Sequence, residues 1–512
     1  MYKSYKFLPR TVLSVLFLLF FPLAHSDSLI KDEDLLDSGG LNAEEFEKSA
    51  LNRYLQEDNG HKVTYQERFR AEKGGLDIRF LNVSAQEWQG YTLYNQIYVG
   101  VPEGVDLNSK HAVVIIAGGS FKEKYLEPPT EAEKEKFLGK IAKYAPVANR
   151  LDSPFIIIRN VPFQRMMLCP ETVPEGKSGN GEDDLIACTF KIALDTGDDY
   201  WPLLLPMTKS VHVALDVAQE VFKDQWGLDI ESFTALGASK RGWTALLAAA
   251  TDDRITAAVP IVIDMLNMSA HLELQIAAWK SYSRQIADYA NHGILERLTT
   301  PEGVKLVKIV DPFMYRKQLD KPILIIASTN DEYWPVDAAN LYFDKLGRQA
   351  RILYLPNRGH GARDYRRLLA ASKALHDSVE KKISLPDIHW DFLERRPGKL
   401  SISVNSDIQP VAVSYWTAES KHDRDFRDEE FESRKICDSD SRKRHGPRKT
   451  IRSHRKCDSN EVIAVNISKR TCATHYVEMW FEHDGIAKYS LTTTQYVTGS
   501  VKCLTTKSMA KI

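Results

Sequence analysis

The chain carries almost no excess charge: 68 Lys and Arg stand against 69 Asp and Glu, a formal charge of -1. A balance this even gives no global pull toward nucleic acid or an anionic membrane surface. Long apolar runs are equally scarce. The one near the N-terminus, Val12 to Leu23, follows Lys3, Lys6 and Arg10 and precedes Ala24-His25-Ser26. It is shorter than the ~20 residues a spanning helix needs. With its basic flank and small residues it reads as a secretory signal peptide, residues 1–26, cleaved after Ser26. No later run is long enough to span a membrane, and no retention or lipid-anchor signal is expected at the C-terminus. Cysteine is sparse, six in all, at spacings unlike a zinc site, and no internal repeat is visible. These absences argue against membrane-spanning, nucleic-acid-binding and repeat proteins. No metal and no cofactor is expected.

What is present suits a folded extracellular chain. Hydrophobic residues make up 43% and charged residues 27% of 512 positions, too many for one core, so two or three domains are expected. In a secreted chain the cysteines read as disulfides. They fall into two even groups, Cys169 and Cys188, then Cys437, Cys457, Cys472 and Cys503. The first two read as a bridge; the last four leave three connectivities open. Glycosylation sequons occur at Asn82, Asn267 and Asn466, the second directly after an apolar run.

The texture of the chain changes along its length. Residues 27–60 are acidic and polar, a segment that wraps the surface, and 61–102 alternate as antiparallel strands do. Buried strands near 111–117, 154–161, 232–238, 255–263, 321–328 and 350–355 then alternate with helical periodicity at 131–146, 206–225, 239–250, 337–346 and 362–381. That alternation predicts an α/β fold, a mostly parallel sheet with helices on both faces, over 61–384. Two excursions, 163–205 and 264–318, leave from the carboxyl ends of strands and suit a cap over a pocket. From 385 to 512 short alternating strands predict a β-sandwich. Between Arg434 and Lys456 this part holds ten Lys or Arg, mostly bracketed by Cys437 and Cys457. A plain solvated loop is the simpler reading of 434–457; binding of an acidic glycan is the sharper one.

The chemistry concentrates at three strand ends. Thr234-Ala235-Leu236-Gly237-Ala238-Ser239-Lys240-Arg241-Gly242 passes from a buried strand through a glycine and a serine into a helix. This is how a nucleophile elbow reads: a sharp turn lifts the serine hydroxyl out of the sheet. Lys321 to Ser328 reads as a strand running into Thr329-Asn330-Asp331-Glu332-Tyr333-Trp334, and Arg351 to Leu355 as another leading to Arg358-Gly359-His360-Gly361. A serine needs a base to take its proton, and the base needs a carboxylate to orient it. Ser239, Asp331 and His360 stand in the order nucleophile, acid, base. Each alone is what an ordinary turn or loop carries; all three in order at strand ends point to a triad. The glycine turn after His111 to Ala117 offers Gly119 or Ser120, with the amide of Lys240, as an oxyanion hole. Arg241 and Trp334 are candidate substrate contacts, Arg241 for an acidic group.

Gly-Ala-Ser-Lys-Arg-Gly-Trp at 237–243, followed by Val259-Pro260-Ile261-Val262-Ile263-Asp264-Met265-Leu266-Asn267, resembles the PhoPQ-activated pathogenicity-related family, which includes secreted autocrine proliferation repressor A-like proteins. Gln86-Glu87-Trp88, Glu182 to Ala187, Asp311 to Arg316, Leu355-Pro356-Asn357, Trp390-Asp391-Phe392 and Arg424 to Arg427 extend the likeness over most of the chain. The resemblance implies an α/β-hydrolase-like domain followed by a β-sandwich, and serine-hydrolase chemistry without a defined substrate. The chain departs from the common elbow in carrying Arg241 where a glycine usually stands; the glycine comes one later, at 242. Two functions follow. One is a secreted serine hydrolase cleaving an ester, less readily a peptide bond, in a small molecule or peptide. The other is a secreted signalling protein on a hydrolase scaffold, with a cell-surface receptor as partner and little or no turnover.

Overall fold

A computed structural model describes residues 40–503 apart from 59, 397, 422, 440–454, 469 and 500–502. The expected signal peptide, the start of the wrapping segment and the centre of the basic loop therefore lie outside the described residues. Helices Ala43–Glu47 and Ala50–Gln56 run along the first domain, where Tyr54 donates a buried hydrogen bond of 2.7 Å to Gln86.

Nine strands form one sheet: β1 (Thr64–Lys73), β2 (Leu76–Trp88), β3 (Tyr91–Pro102), β4 (His111–Ile116), β5 (Phe155–Ile158), β6 (Ser232–Ala238), β7 (Ile255–Ile261), β8 (Ile323–Ser328) and β9 (Ala350–Leu355). Their spatial order is β1-β2-β3-β5-β4-β6-β7-β8-β9. The first three are antiparallel, and β5 to β9 run parallel to β4. Strands covered on both faces read as continuous apolar runs. That is why β4, β8 and β9 stand out in the sequence, and every residue of β8 is buried. Helices Glu131–Leu151, Leu204–Trp226, Lys240–Thr251 and Tyr365–Glu380 cover the sheet. This is the α/β-hydrolase architecture, with the ends of β6, β8 and β9 on one edge.

Two elements differ from the sequence expectation. Residues 337–346 form short 3-10 turns, Ala338–Leu341 and Phe343–Lys345, rather than a helix. Tertiary partners decide this: Tyr342 donates 2.6 Å to buried Asp264 while Asn340 donates 2.7 Å to the Gln495 carbonyl. Residues two apart point to different sides of a regular helix, so one helix does not serve both. Glu182–Thr196, inside the first excursion, is a full helix with three acidic residues in its first turn. The second excursion packs as Met268–Trp279, short turns and Pro301–Val310.

The second domain is all antiparallel. β10 (Ile388–Arg396), β11 (Lys399–Ser406) and β14 (Asn460–Asn466) form one sheet; β12 (Ala412–Ser420), β13 (Glu432–Asp438), β15 (Cys472–His483), β16 (Ile486–Thr492) and β17 (Tyr496–Thr498) form the other. Ile402 and Val404 share a buried cluster with Val413, Val477 and Met479, so the two sheets enclose one core. Disulfides join Cys169 to Cys188, Cys437 to Cys457 and Cys472 to Cys503, which settles the connectivity the sequence left open. Cys437–Cys457 closes the basic loop at its base.

Of the three sequons, Asn82 is a correction. It lies buried in β2 and its amide donates to the Tyr125 carbonyl, leaving no room for a glycan. Asn267 is also buried, its amide 3.2 Å from the Leu341 carbonyl. Asn466 is exposed at the end of β14.

Candidate active site

The turn after β6 is built by close backbone approach. Ser239 sits at φ 55°, ψ -131°, a positive φ outside the regions a side chain prefers. Its N–H donates 2.8 Å to the Ile261 carbonyl, and its own carbonyl accepts from Gly242 and Trp243. A Cβ on Gly237 would lie 2.1 Å from the Arg241 carbonyl oxygen. One on Gly242 would lie 2.8 Å from both the Gly237 carbonyl oxygen and Ile263. The shifted glycine is thus the residue on which strand and helix touch, and position 241 is free to carry a long side chain.

That side chain does not wait for a substrate. Arg241 lies over Gly118, donates 2.7 Å to the Val161 carbonyl and grips Glu182 with both terminal nitrogens at 2.9 Å. The acidic group expected beside Arg241 is therefore the protein's own. Lys240 is buried and pairs with Asp183 at 2.9 Å and Glu182 at 3.1 Å. Burial opposes ionisation of Glu182, but the hydrogen bonds and charge of Arg241, with Lys240 behind it, hold its carboxyl down at about 2.

Asp331 follows β8 and His360 follows β9. His360 Nδ1 lies 3.0 Å from both Asp331 carboxylate oxygens, and its Nε2 lies 2.9 Å from Ser239 Oγ. With Nδ1 donating to the carboxylate, Nε2 is the acceptor of the serine proton. Asp331 is 3% exposed. Burial raises its pKa, and the His360 hydrogen bond and the Tyr333 N–H, 2.9 Å away, oppose that rise. Tyr333 lays its ring on the imidazole at 4.0 Å, and Glu332 accepts the His360 backbone N–H at 2.7 Å.

The loop after β4 stands beside the elbow because Ile116 pairs with Gly237. Gly119 has φ 140°, a conformation that favours glycine. Neither the Gly119 nor the Ser120 N–H has a hydrogen-bond partner among the described residues. Lys240 opens its helix, so its N–H has no carbonyl one turn back. Trp334 lines the pocket at Ser239, and its indole N–H donates 3.3 Å to the Val262 carbonyl.

Sequence reasoning missed how the second domain reaches this site. Asn330, next to Asp331, donates to the carbonyls of Phe426, Arg427 and Glu429 at 3.1, 3.2 and 2.7 Å. Asn357, three residues before His360, accepts from the Phe431 N–H at 2.7 Å and donates to its carbonyl at 2.9 Å. The only sequence signal is a pair of asparagines beside the two loops. A possible cation cluster lies elsewhere: His376, Asp377 and Glu380 bring one ligand atom each within 4.8 Å of the others. Lys373 pairs with Asp377 at 2.9 Å, so that carboxylate already has a cation. Among the described residues no helix is long and apolar enough to cross a membrane.

A family model described as PhoPQ-activated pathogenicity-related protein matches residues 51–427. Autocrine proliferation repressor protein A of Dictyostelium discoideum is 35% identical over 256 residues, 48% of this chain and 52% of that protein. The match thus spans about half the length of that relative. Acetyl xylan esterase 1 from Thermoanaerobacterium sp. superposes with TM-score 0.40 at 17% identity, covering 67% of this chain and 98% of its own. A glucuronoyl esterase from Solibacter usitatus superposes with TM-score 0.38 at 12% identity, covering 65% and 94%.

Proposed function

We propose that this chain, which belongs to the PhoPQ-activated pathogenicity-related family, is an extracellular serine hydrolase that cleaves an ester. Ser239 attacks the carbonyl, His360 takes the hydroxyl proton and returns it to the leaving oxygen, and Asp331 holds the imidazole in its productive tautomer. The amides of Lys240 and of Gly119 or Ser120 receive the negative charge on the carbonyl oxygen. The observation that carries the reading is the single line from Ser239 Oγ through His360 to Asp331, with links of 2.9 and 3.0 Å. Three disulfides support an oxidising, extracellular setting.

Activity-based labelling tests it. A fluorophosphonate probe is expected to label the protein at Ser239, and Ser239→Ala to abolish that label. Labelling that persists in Ser239→Ala removes Ser239 from the mechanism.

A second reading rests on the name of the Dictyostelium discoideum relative, a proliferation repressor. In it the chain acts on cells as a ligand. The same Ser239→Ala protein separates the two: full retention of a cellular response favours the ligand, and its loss favours turnover.

A further inference from the structure

Beside Ser239 lies a pocket with a wall unlike that of a sugar site. The second excursion supplies Met268, Leu272, Ile286, Leu295 and Leu298, and Trp243 stands behind the serine. Trp243, Ile286, Leu295 and Leu298 are each less than a tenth exposed. Most polar groups in the wall are already engaged with one another; His271 Nε2 is buried without a partner. Lys240 is paired with Asp183, and Tyr289 donates 3.2 Å to the same carboxylate. Gln275 accepts from the Ser283 N–H at 2.8 Å and donates to the Tyr333 carbonyl at 3.2 Å. Burial pushes His271 down to about 3, so it meets a ligand as a neutral imidazole.

A saccharide ring entering here would find the one unpaired nitrogen of His271 and leave most of its hydroxyls without partners, at a cost of about 1–3 kcal/mol each. An alkyl group gains what a sugar loses. The orientation of the ester follows from the candidate triad. The leaving oxygen must face His360, which is not part of the pocket wall, whereas the acyl group stays bonded to Ser239, which is. We infer that this pocket holds the acyl group of an ester of a short, apolar carboxylic acid, and that the cap 264–318 sets its length. The inference rests on the serine hydrolase reading above.

The cavity measures about 70 Å³, room for roughly five water-sized groups. A linear chain the length of a hexanoyl group fills it.

The test is an acyl series on one leaving group: p-nitrophenyl acetate, butyrate, hexanoate and dodecanoate. Each methylene buried in the pocket is expected to raise kcat/KM by about fourfold, so the values climb from acetate to hexanoate and fall at dodecanoate. Leu272→Trp narrows the pocket from its half-buried rim, and the hexanoate-to-acetate ratio is expected to fall at least tenfold. The ratio is read on one protein sample, so partial misfolding does not move it. Acetate hydrolysis with a flat or falling series, or an unchanged ratio in Leu272→Trp, overturns the acyl pocket and leaves the hydrolase reading standing. No hydrolysis of any ester together with no probe labelling at Ser239 overturns both.

Discussion

Ser239 on one side and Asp331 with His360 on the other meet at the edge of a single sheet, but different parts of the molecule hold them. The serine side is closed within the first domain. Gly237 and Gly242 let strand and helix touch, and Arg241 and Lys240 anchor the turn to Glu182 and Asp183. The acid and base loops hang from the second domain instead, through Asn330 and Asn357 and the backbone of 426–431. The candidate nucleophile is thus built from local backbone geometry and its candidate partners from a docking between domains. The β-sandwich backs the two loops that carry Asp331 and His360.

The sharpest way to break this comparison is on the serine side. Gly237→Ala places a methyl 2.1 Å from a backbone oxygen that cannot move without its helix. A loss of at least ~3 kcal/mol in urea unfolding is expected, with probe labelling lost as well. Stability close to wild type would show that the elbow is not closed by that contact.

On the other side, Asn330→Ala and Asn357→Ala are expected to slow probe labelling by roughly ten- to a hundredfold, the effect of displacing a catalytic group by a fraction of an ångström. The stability loss should stay near ~1–3 kcal/mol, from carbonyls left unpaired. If both variants label at the wild-type rate, the second domain does not position the loops.

Glu182→Gln is expected to cost less. It leaves Arg241 and Lys240 short of one carboxylate, but the Glu182 side chain is 42% exposed, and water screens the loss to about 1 kcal/mol. Thermal unfolding reads it, with labelling slowed less than in the asparagine variants.

The smallest effect is read in acid. Burial holds His475, in β15, at about 3 and His111, at the start of β4, at about 4, both below their ordinary 6.5. A depressed histidine lends stability that is whole above pH 6.5 and is lost as the pH falls through those lower values, at up to ~1.4 kcal/mol per unit. In the first domain Asp264 and Asp311 work in reverse. Burial raises them to about 7 and about 6, so they weaken the fold as the pH rises toward those values. In the second domain His475→Gln should therefore flatten the fall of stability between pH 6.5 and 4 in urea titrations. An unchanged slope removes His475 from the effect.

The strand ends were legible because their causes are local. A parallel strand buried on both faces must be apolar throughout, as Ile323 to Ser328 is, and a tight turn must carry glycine, as at 237. The helix Glu182–Thr196 was missed, although its start bears three acidic residues, because its packing rather than its periodicity stabilises it. Asn82 looked open to glycosylation because a sequon says nothing of burial.

By itself, then, the sequence determined the alternation of strands and helices, the loops that bear Ser239, Asp331 and His360, and the change to β-structure after 385. Each follows from residues close together in the chain. Only the tertiary structure decided what those loops meet. Arg241 finds Glu182, 59 positions away, and Asn330 finds Phe426, 96 positions away. Partners so far apart leave no periodicity to read, because charge and hydrogen bonding select whatever the fold brings near.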